Sequence, residues 1–95
     1  MAAYIIADVD VTDPAGYEAY RREVPALIAA GGGRYLVRGG ATETLEGDWS
    51  PRRVVILEFP DMASLKAWYG SPGYQSILKI RQACADSRLI AVEGV

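Results

Sequence analysis

Apolar and polar residues alternate along the first segment of the chain. Ile5, Ala7, Val9 and Val11 fall on one side, and Ile6, Asp8 and Asp10 on the other. A period of two predicts a β-strand over Ala3 to Val11. Asp13-Pro14 then predicts a helix start, since the carboxylate accepts orphan amide protons and proline fits the first turn. Tyr17, Tyr20, Val24, Leu27 and Ile28 recur on one helical face. Pro25 predicts a kink near Arg21 and Arg22, and Gly31-Gly32-Gly33 the end of the helix. Arg34 to Arg38 is a second strand, closed by Gly39-Gly40, and Ala41 to Pro51 a long connection turning at Glu46-Gly47-Asp48. Arg52 to Phe59 is a third strand, with its apolar body from Val54 onward. Asp61 caps a helix that runs to Tyr69. Ser71-Pro72-Gly73 breaks that helix and opens another, bearing Tyr74, Ile77, Leu78 and Arg81, and Arg88 to Glu93 is the last strand.

The order β-α-β-β-α-β predicts an α+β domain of the ferredoxin-like split βαβ type, with a four-stranded antiparallel sheet and the third strand beside the first. That strand holds no proline, as an inner position requires. A faint internal echo supports two βαβ halves: Pro14-Ala15-Gly16-Tyr17 resembles Pro72-Gly73-Tyr74, and Arg34-Tyr35-Leu36-Val37 resembles Arg88-Leu89-Ile90-Ala91.

Helices in such a fold cover one sheet face. Alternation assigns Ile5, Ala7, Val9, Tyr35, Val37, Val55, Leu57, Phe59, Ile90 and Val92 to it. The other face would carry Tyr4, Ile6, Leu36, Val54, Ile56, Leu89 and Ala91, mixed with Asp8, Arg34, Arg38, Glu58 and Glu93. An open face this apolar is more than soluble monomers leave exposed. Burying about 600 Å² of it contributes on the order of 15 kcal/mol before association costs. The expectation is a homodimer joined through its sheet faces. A hairpin symmetric about Glu46 sets Arg34 opposite Glu58, an opposite-charge cross-strand pair.

Composition narrows the classes. Ninety-five residues, 51% hydrophobic and 23% charged, form one domain over 1–95. A net charge of −2 argues against a nucleic-acid partner, which needs a basic stripe. Cys84 is the single cysteine and reads as a small core residue, leaving no disulfide framework. The N-terminus lacks a basic leader, and Asp8 and Asp10 interrupt its apolar run, so neither a signal peptide nor a membrane span is expected and the default location is the cytoplasm. Histidine is absent, which removes Ser-His-Asp and Cys-His arrangements and the usual zinc, iron and haem ligands. No metal or cofactor is expected. The glycine clusters match neither a P-loop nor a dinucleotide fingerprint.

Aromatic and guanidinium groups remain. Trp68 and Tyr69 are neighbours on a helix, so one packs inward while the other rims a cleft, and Tyr74 opens the next helix close by. Arg38, Arg53 and Arg81 suit bidentate contact with a carboxylate or enolate-like oxygen. Asp86-Ser87 can orient a polar substrate group. Trp49, on the hairpin, is either a dimer anchor or a lid. Glu58 and Tyr69 are the acid/base candidates, and Arg53 the electrostatic one. Ordinary roles compete with each: the aromatics as core or pocket wall, and Asp8, Arg34 and Glu58 as an interface ion-pair network.

Gly33-Arg34-Tyr35-Leu36-Val37-Arg38-Gly39-Gly40, Glu46-Gly47-Asp48-Trp49, Pro51-Arg52-Arg53-Val54-Val55, Glu58-Phe59-Pro60, Trp68-Tyr69-x-Ser71-Pro72-x-Tyr74-Gln75, Arg81 and Ala85-Asp86-Ser87 together resemble the bacterial domain-of-unknown-function family 1330 over essentially the whole chain. The resemblance implies a dimeric α+β barrel, in which the sheets of two protomers face each other. The wider superfamily includes antibiotic-biosynthesis-type monooxygenases, muconolactone isomerases, haem-degrading monooxygenases and chlorite dismutases, while the family brings no reaction of its own. Three function classes stay open: a cofactor-independent isomerase, cyclase or monooxygenase-like enzyme acting on a small anionic or aromatic metabolite; a small-ligand-binding dimer; and a structural dimer.

Overall fold

Side chains of the first segment alternate between burial and partial exposure, as a strand with one covered face must. The computed structural model describes all of residues 1–95: β1 Ala3–Val11, α1 Pro14–Ala30, β2 Arg34–Arg38, β3 Val54–Phe59, α2 Met62–Tyr69, α3 Pro72–Cys84 and β4 Ala85–Glu93. The strands form one antiparallel sheet in the order β2-β3-β1-β4. The third strand lies inside the sheet beside the first, as expected of a ferredoxin-like domain.

Helix starts carry side-chain caps, at Asp13 and Asp61 as read from the sequence and at Ser71 as well. Asp13 accepts the Gly16 N–H at 3.2 Å, Asp61 accepts that of Ser64 at 2.7 Å, and Ser71 accepts that of Tyr74 at 3.3 Å. α1 continues through Pro25 to Ala30. Gly16 sits where a Cβ would lie 2.7 Å from the Cys84 sulfur, so a side chain there would separate α1 from the end of α3. Cys84 is buried; burial and the nearby Asp13 carboxylate push its thiol pKa up.

Three local expectations are corrected by the register. β4 starts at Ala85, directly after α3, not at Arg88, because the nine-residue β1 offers Val11, Asp10 and Val9 as partners for Ala85, Asp86 and Ser87. β3 starts at Val54, not at Arg52, because the Arg52 N–H donates to the Asp8 carboxylate at 3.1 Å and not to a strand.

The third correction concerns faces. Leu89 lies opposite Ala7 and Ala91 opposite Ile5, so these two point toward the helices. Ile90 and Val92 instead belong to the open face, where they are 62% and 41% exposed. A β-bulge between Tyr35 and Val37 likewise inverts the end of β2: Val37 opposes Ile56 on the open face, and Arg38 opposes Val55 on the helix side. A one-residue shift flips every side chain that follows.

The helix-covered face holds the core. Ala3, Ile5, Ala7, Val9, Leu57 and Phe59 pack against Tyr17, Tyr20, Val24 and Ile28 of α1, Leu65 and Trp68 of α2, and Tyr74, Ile77 and Leu78 of α3. Tyr4, Ile6, Val54 and Ile56 make the open face apolar together with Ile90 and Val92. It carries two ion pairs, Arg34 with Glu58 at 2.7 Å, as the hairpin symmetry required, and Arg88 with Asp8 at 3.5 Å, while Asp10 and Asp86 oppose each other beyond them. No helix is long and apolar enough to cross a membrane.

Candidate functional site

Two helical spacings bring four polar groups under the helices. Tyr17 and Tyr20 lie three apart on the buried face of α1, and Tyr74 and Arg81 seven apart on that of α3. These helices pack side by side over the sheet, and between them and the strands lies a cavity of about 50 Å³. That is room for a water or two; a larger ligand needs the walls to part or must extend past the exposed Arg38. Its walls are mostly apolar, with Tyr17, Tyr20, Tyr35, Tyr74, Arg38, Arg53 and Arg81 as the main polar groups.

The aromatic groups form one packed array. Trp68 stacks on Tyr74 with ring centroids 4.2 Å apart, and its indole N–H donates to the Leu27 carbonyl at 3.0 Å. Tyr17 and Tyr20 rings are 5.3 Å apart, and the Tyr20 and Tyr74 hydroxyls hydrogen-bond at 2.9 Å. Burial pushes the Tyr20 pKa well above the ordinary phenol range, reinforced by the Tyr74 hydroxyl. Burial also raises Tyr17, against the opposing charges of Arg53 and Arg81, and raises Tyr35, against Arg38. These phenols are proton donors at neutral pH, not bases.

Arg81 is the one charged residue that is fully buried, at 5% exposure, and it has no carboxylate partner. Its Nε–H is buried without an acceptor, and so is that of Arg53. Burial opposes the Arg81 charge most strongly, yet the Tyr74 and Tyr20 hydroxyls hold its pKa above the ordinary arginine value. A buried guanidinium with unmet donors is costly and calls for an acceptor. Gly39 makes room for Arg53: at φ +70° it carries no side chain, and a Cβ would lie 2.7 Å from the Arg53 Nη1. Arg38 lies over the Tyr35 ring at 4.5 Å.

Of the candidates from the sequence, Arg38, Arg53, Trp68, Tyr74 and Arg81 meet at this cavity. The others lie elsewhere. Tyr69 packs on the outer side of Tyr74 at 5.4 Å and borders a polar depression with Arg81, Asp86 and Ser87. Ser87 lies opposite Val9 with its hydroxyl buried and unpartnered, while Asp86 opposes Asp10. Glu58 is on the opposite sheet face, bound to Arg34. Trp49 is also on that side, 60% exposed beside Ile6, Val54 and Ile90. Tyr17, Tyr20 and Tyr35 were assigned only to packing in the sequence. The available signal was a phenol hydroxyl at each apolar position, since a buried hydroxyl needs a partner.

The profile of a domain of unknown function, DUF1330, matches residues 2–95. The chain belongs to the DUF1330 family. A crystal structure of a protein of unknown function from Rhodopseudomonas palustris is 26% identical, with a TM-score of 0.79, over 99% of this chain and 82% of that one. A dimeric ferredoxin-like protein of unknown function from Jannaschia sp. CCS1 is 14% identical, with a TM-score of 0.67, over 99% and 100% of the two chains. SnoaB, a cofactor-independent oxygenase from Streptomyces nogalater, is 14% identical, with a TM-score of 0.63, over 99% and 93%. The last two share the fold. Among curated proteins, none is significantly similar to the chain. The family and the α+β ferredoxin-like architecture are those expected from the sequence.

Proposed function

We propose that this DUF1330 member takes up a small organic anion with an unsaturated or aromatic body, and converts it without a cofactor by stabilising an enolate- or phenolate-like oxygen. The observation that carries this reading is Arg81, a buried guanidinium with an unmet N–H and no carboxylate of its own. An anionic oxygen would meet the Arg81 and Arg53 donors, and the tyrosine hydroxyls would donate to charge that develops on it. The apolar walls and the Trp68–Tyr74 stack suit a planar ligand body. SnoaB, described as a cofactor-independent oxygenase on the same fold, makes the absence of a cofactor reasonable by analogy alone.

A second reading is binding without turnover. It is favoured by the cavity lining, which contains no Asp, Glu or His to act as a base; in the first reading the substrate must therefore be acidic enough to ionise by itself. Thermal-shift and calorimetric screening against small carboxylates, phenols and enolisable ketones tests both readings. Binding by the wild-type chain that is lost in Arg81→Met supports the site, and turnover of a bound compound separates enzyme from binder. A screen in which Arg81→Met binds as well as the wild type rejects the cavity as the site.

The working unit in this proposal is a homodimer through the open sheet face. Its support is the apolar set Ile6, Val54, Ile56, Ile90 and Val92 on that face, and the fold neighbour described as dimeric.

A further inference from the structure

The arginines of the cavity are more numerous than one small anion needs. Four line it, and no aspartate or glutamate does. Glu18 occupies Arg21 through two hydrogen bonds, at 2.9 and 3.1 Å. The remaining ion pairs, Arg34–Glu58 and Arg88–Asp8, lie on the other sheet face. Arg38, Arg53 and Arg81 are therefore left without a carboxylate.

These three differ in depth. Arg81 is enclosed, Arg53 is half-buried, and Arg38 is exposed above the Tyr35 ring. Arg53 lines the cavity with both others and its Nη1 lies against Gly39, the residue after Arg38, while its charge acts with that of Arg81 on the Tyr17 hydroxyl, which makes it the middle member of the series. The cation–π contact sets the Arg38 guanidinium 4.5 Å from the Tyr35 ring centre, and no carboxylate pairs with it. One carboxylate takes up one or two guanidinium forks. It cannot serve both the enclosed and the exposed end of such a series.

We propose that the ligand is a small dianion, with one anionic group held by Arg81 and Arg53 inside the cavity and a second held by Arg38 at its mouth. The class is a slender unsaturated dicarboxylate, or a carboxylate whose other end is an enolate. The proposal rests on the anion-binding reading of the cavity and adds the second charge and its place. A dianion gives each end of the series an anionic partner, whereas a monoanion held by Arg81 and Arg53 leaves the exposed Arg38 charge to solvent.

Crotonate and fumarate test it, because they share a four-carbon unsaturated skeleton and differ by one carboxylate. Their affinities for the intact protein are measured by calorimetry, alongside Arg38→Met and Arg81→Met variants whose folding is confirmed by circular dichroism. The expected result is fumarate binding at least about tenfold more tightly than crotonate. Arg38→Met should erase that preference by weakening fumarate at least about tenfold more than crotonate, and Arg81→Met should weaken both. Equal affinities in the wild type, or a preference that survives Arg38→Met, overturn the dianion and leave a monoanion site standing. Failure of both compounds to bind at millimolar concentration overturns the dianion and the anion reading together.

Discussion

Tyr20 and Tyr74, 54 residues apart in the chain, join their hydroxyls at 2.9 Å across the seam between α1 and α3. Neither hydroxyl reaches bulk water easily, since both residues are buried. The bond therefore fixes the seam and also the wall of the cavity that both residues line. Tyr20→Phe leaves the Tyr74 hydroxyl without this partner and should destabilise the protein by about 1–2 kcal/mol. In a double-mutant cycle with Tyr74→Phe, urea unfolding should give a coupling of about 0.5–1.5 kcal/mol. A coupling near zero would show that the hydroxyls are independently solvated.

Arg81→Met should raise stability while abolishing the proposed anion binding. The substitution replaces an enclosed charge without a carboxylate by an apolar side chain of similar length, which removes a desolvation cost and an unmet N–H. Denaturant unfolding of the ligand-free protein should show a higher midpoint. A lower midpoint would mean that Arg81 is satisfied by structural contacts, and that the site is not held at the expense of stability.

Alkaline titration reads the tyrosines directly. Tyr17, Tyr20 and Tyr35 have pKa values raised by burial above the ordinary 10.0. A raised folded-state pKa stabilises the neutral phenol, so this contribution is fully present below pH 10 and is lost as pH rises through the higher folded values. Phenolate absorbance of these three should be missing from the ordinary range and appear at higher pH. An ordinary titration of all six tyrosines of the chain would contradict the buried array.

Ile56→Asp puts a charge in the middle of the open sheet face, beside Ile6 on the neighbouring strand. Light scattering at micromolar concentration should give a dimer for the wild type and a monomer or an unfolded chain for the variant. A dimer unaffected by Ile56→Asp would place the subunit contact on another surface.

Asp8 ties the long connection to the sheet. Its carboxylate accepts the Arg52 N–H at 3.1 Å, and the neighbouring Val9 N–H donates to the Arg53 carbonyl at 2.9 Å. Asp8→Ala should speed amide exchange at Arg52 and cost about 0.5–1.5 kcal/mol of stability. Unchanged exchange there would show that the connection is held by other contacts.

Caps, strand order and family were legible because they are written in local chemistry. Asp13 and Asp61, read as caps, each accept an amide proton of the first turn, and Ser71, read only as part of the start of the next helix, does the same. The pairing of Arg34 with Glu58 followed from the hairpin alone. The faces of β4 were not legible, because Arg88 to Val92 reads as a strand in either parity and only pairing with β1 selects one. Arg38 was named from the sequence as a candidate but not as a member of the helix-side face, since the bulge after Tyr35 that turns it inward leaves no mark in composition.

By itself the sequence determined the elements, the α+β class and a supply of arginines and aromatics without histidine. Tertiary structure decided which of them meet. Glu58 and Trp49 went to the open side, while Tyr17, Tyr20 and Tyr35 came to stand with Arg53 and Arg81 around one cavity. The reason is physical: local propensities act over a few residues, whereas an unpaired buried guanidinium arises only when α1, α3 and the sheet close together and exclude the water that would have solvated it.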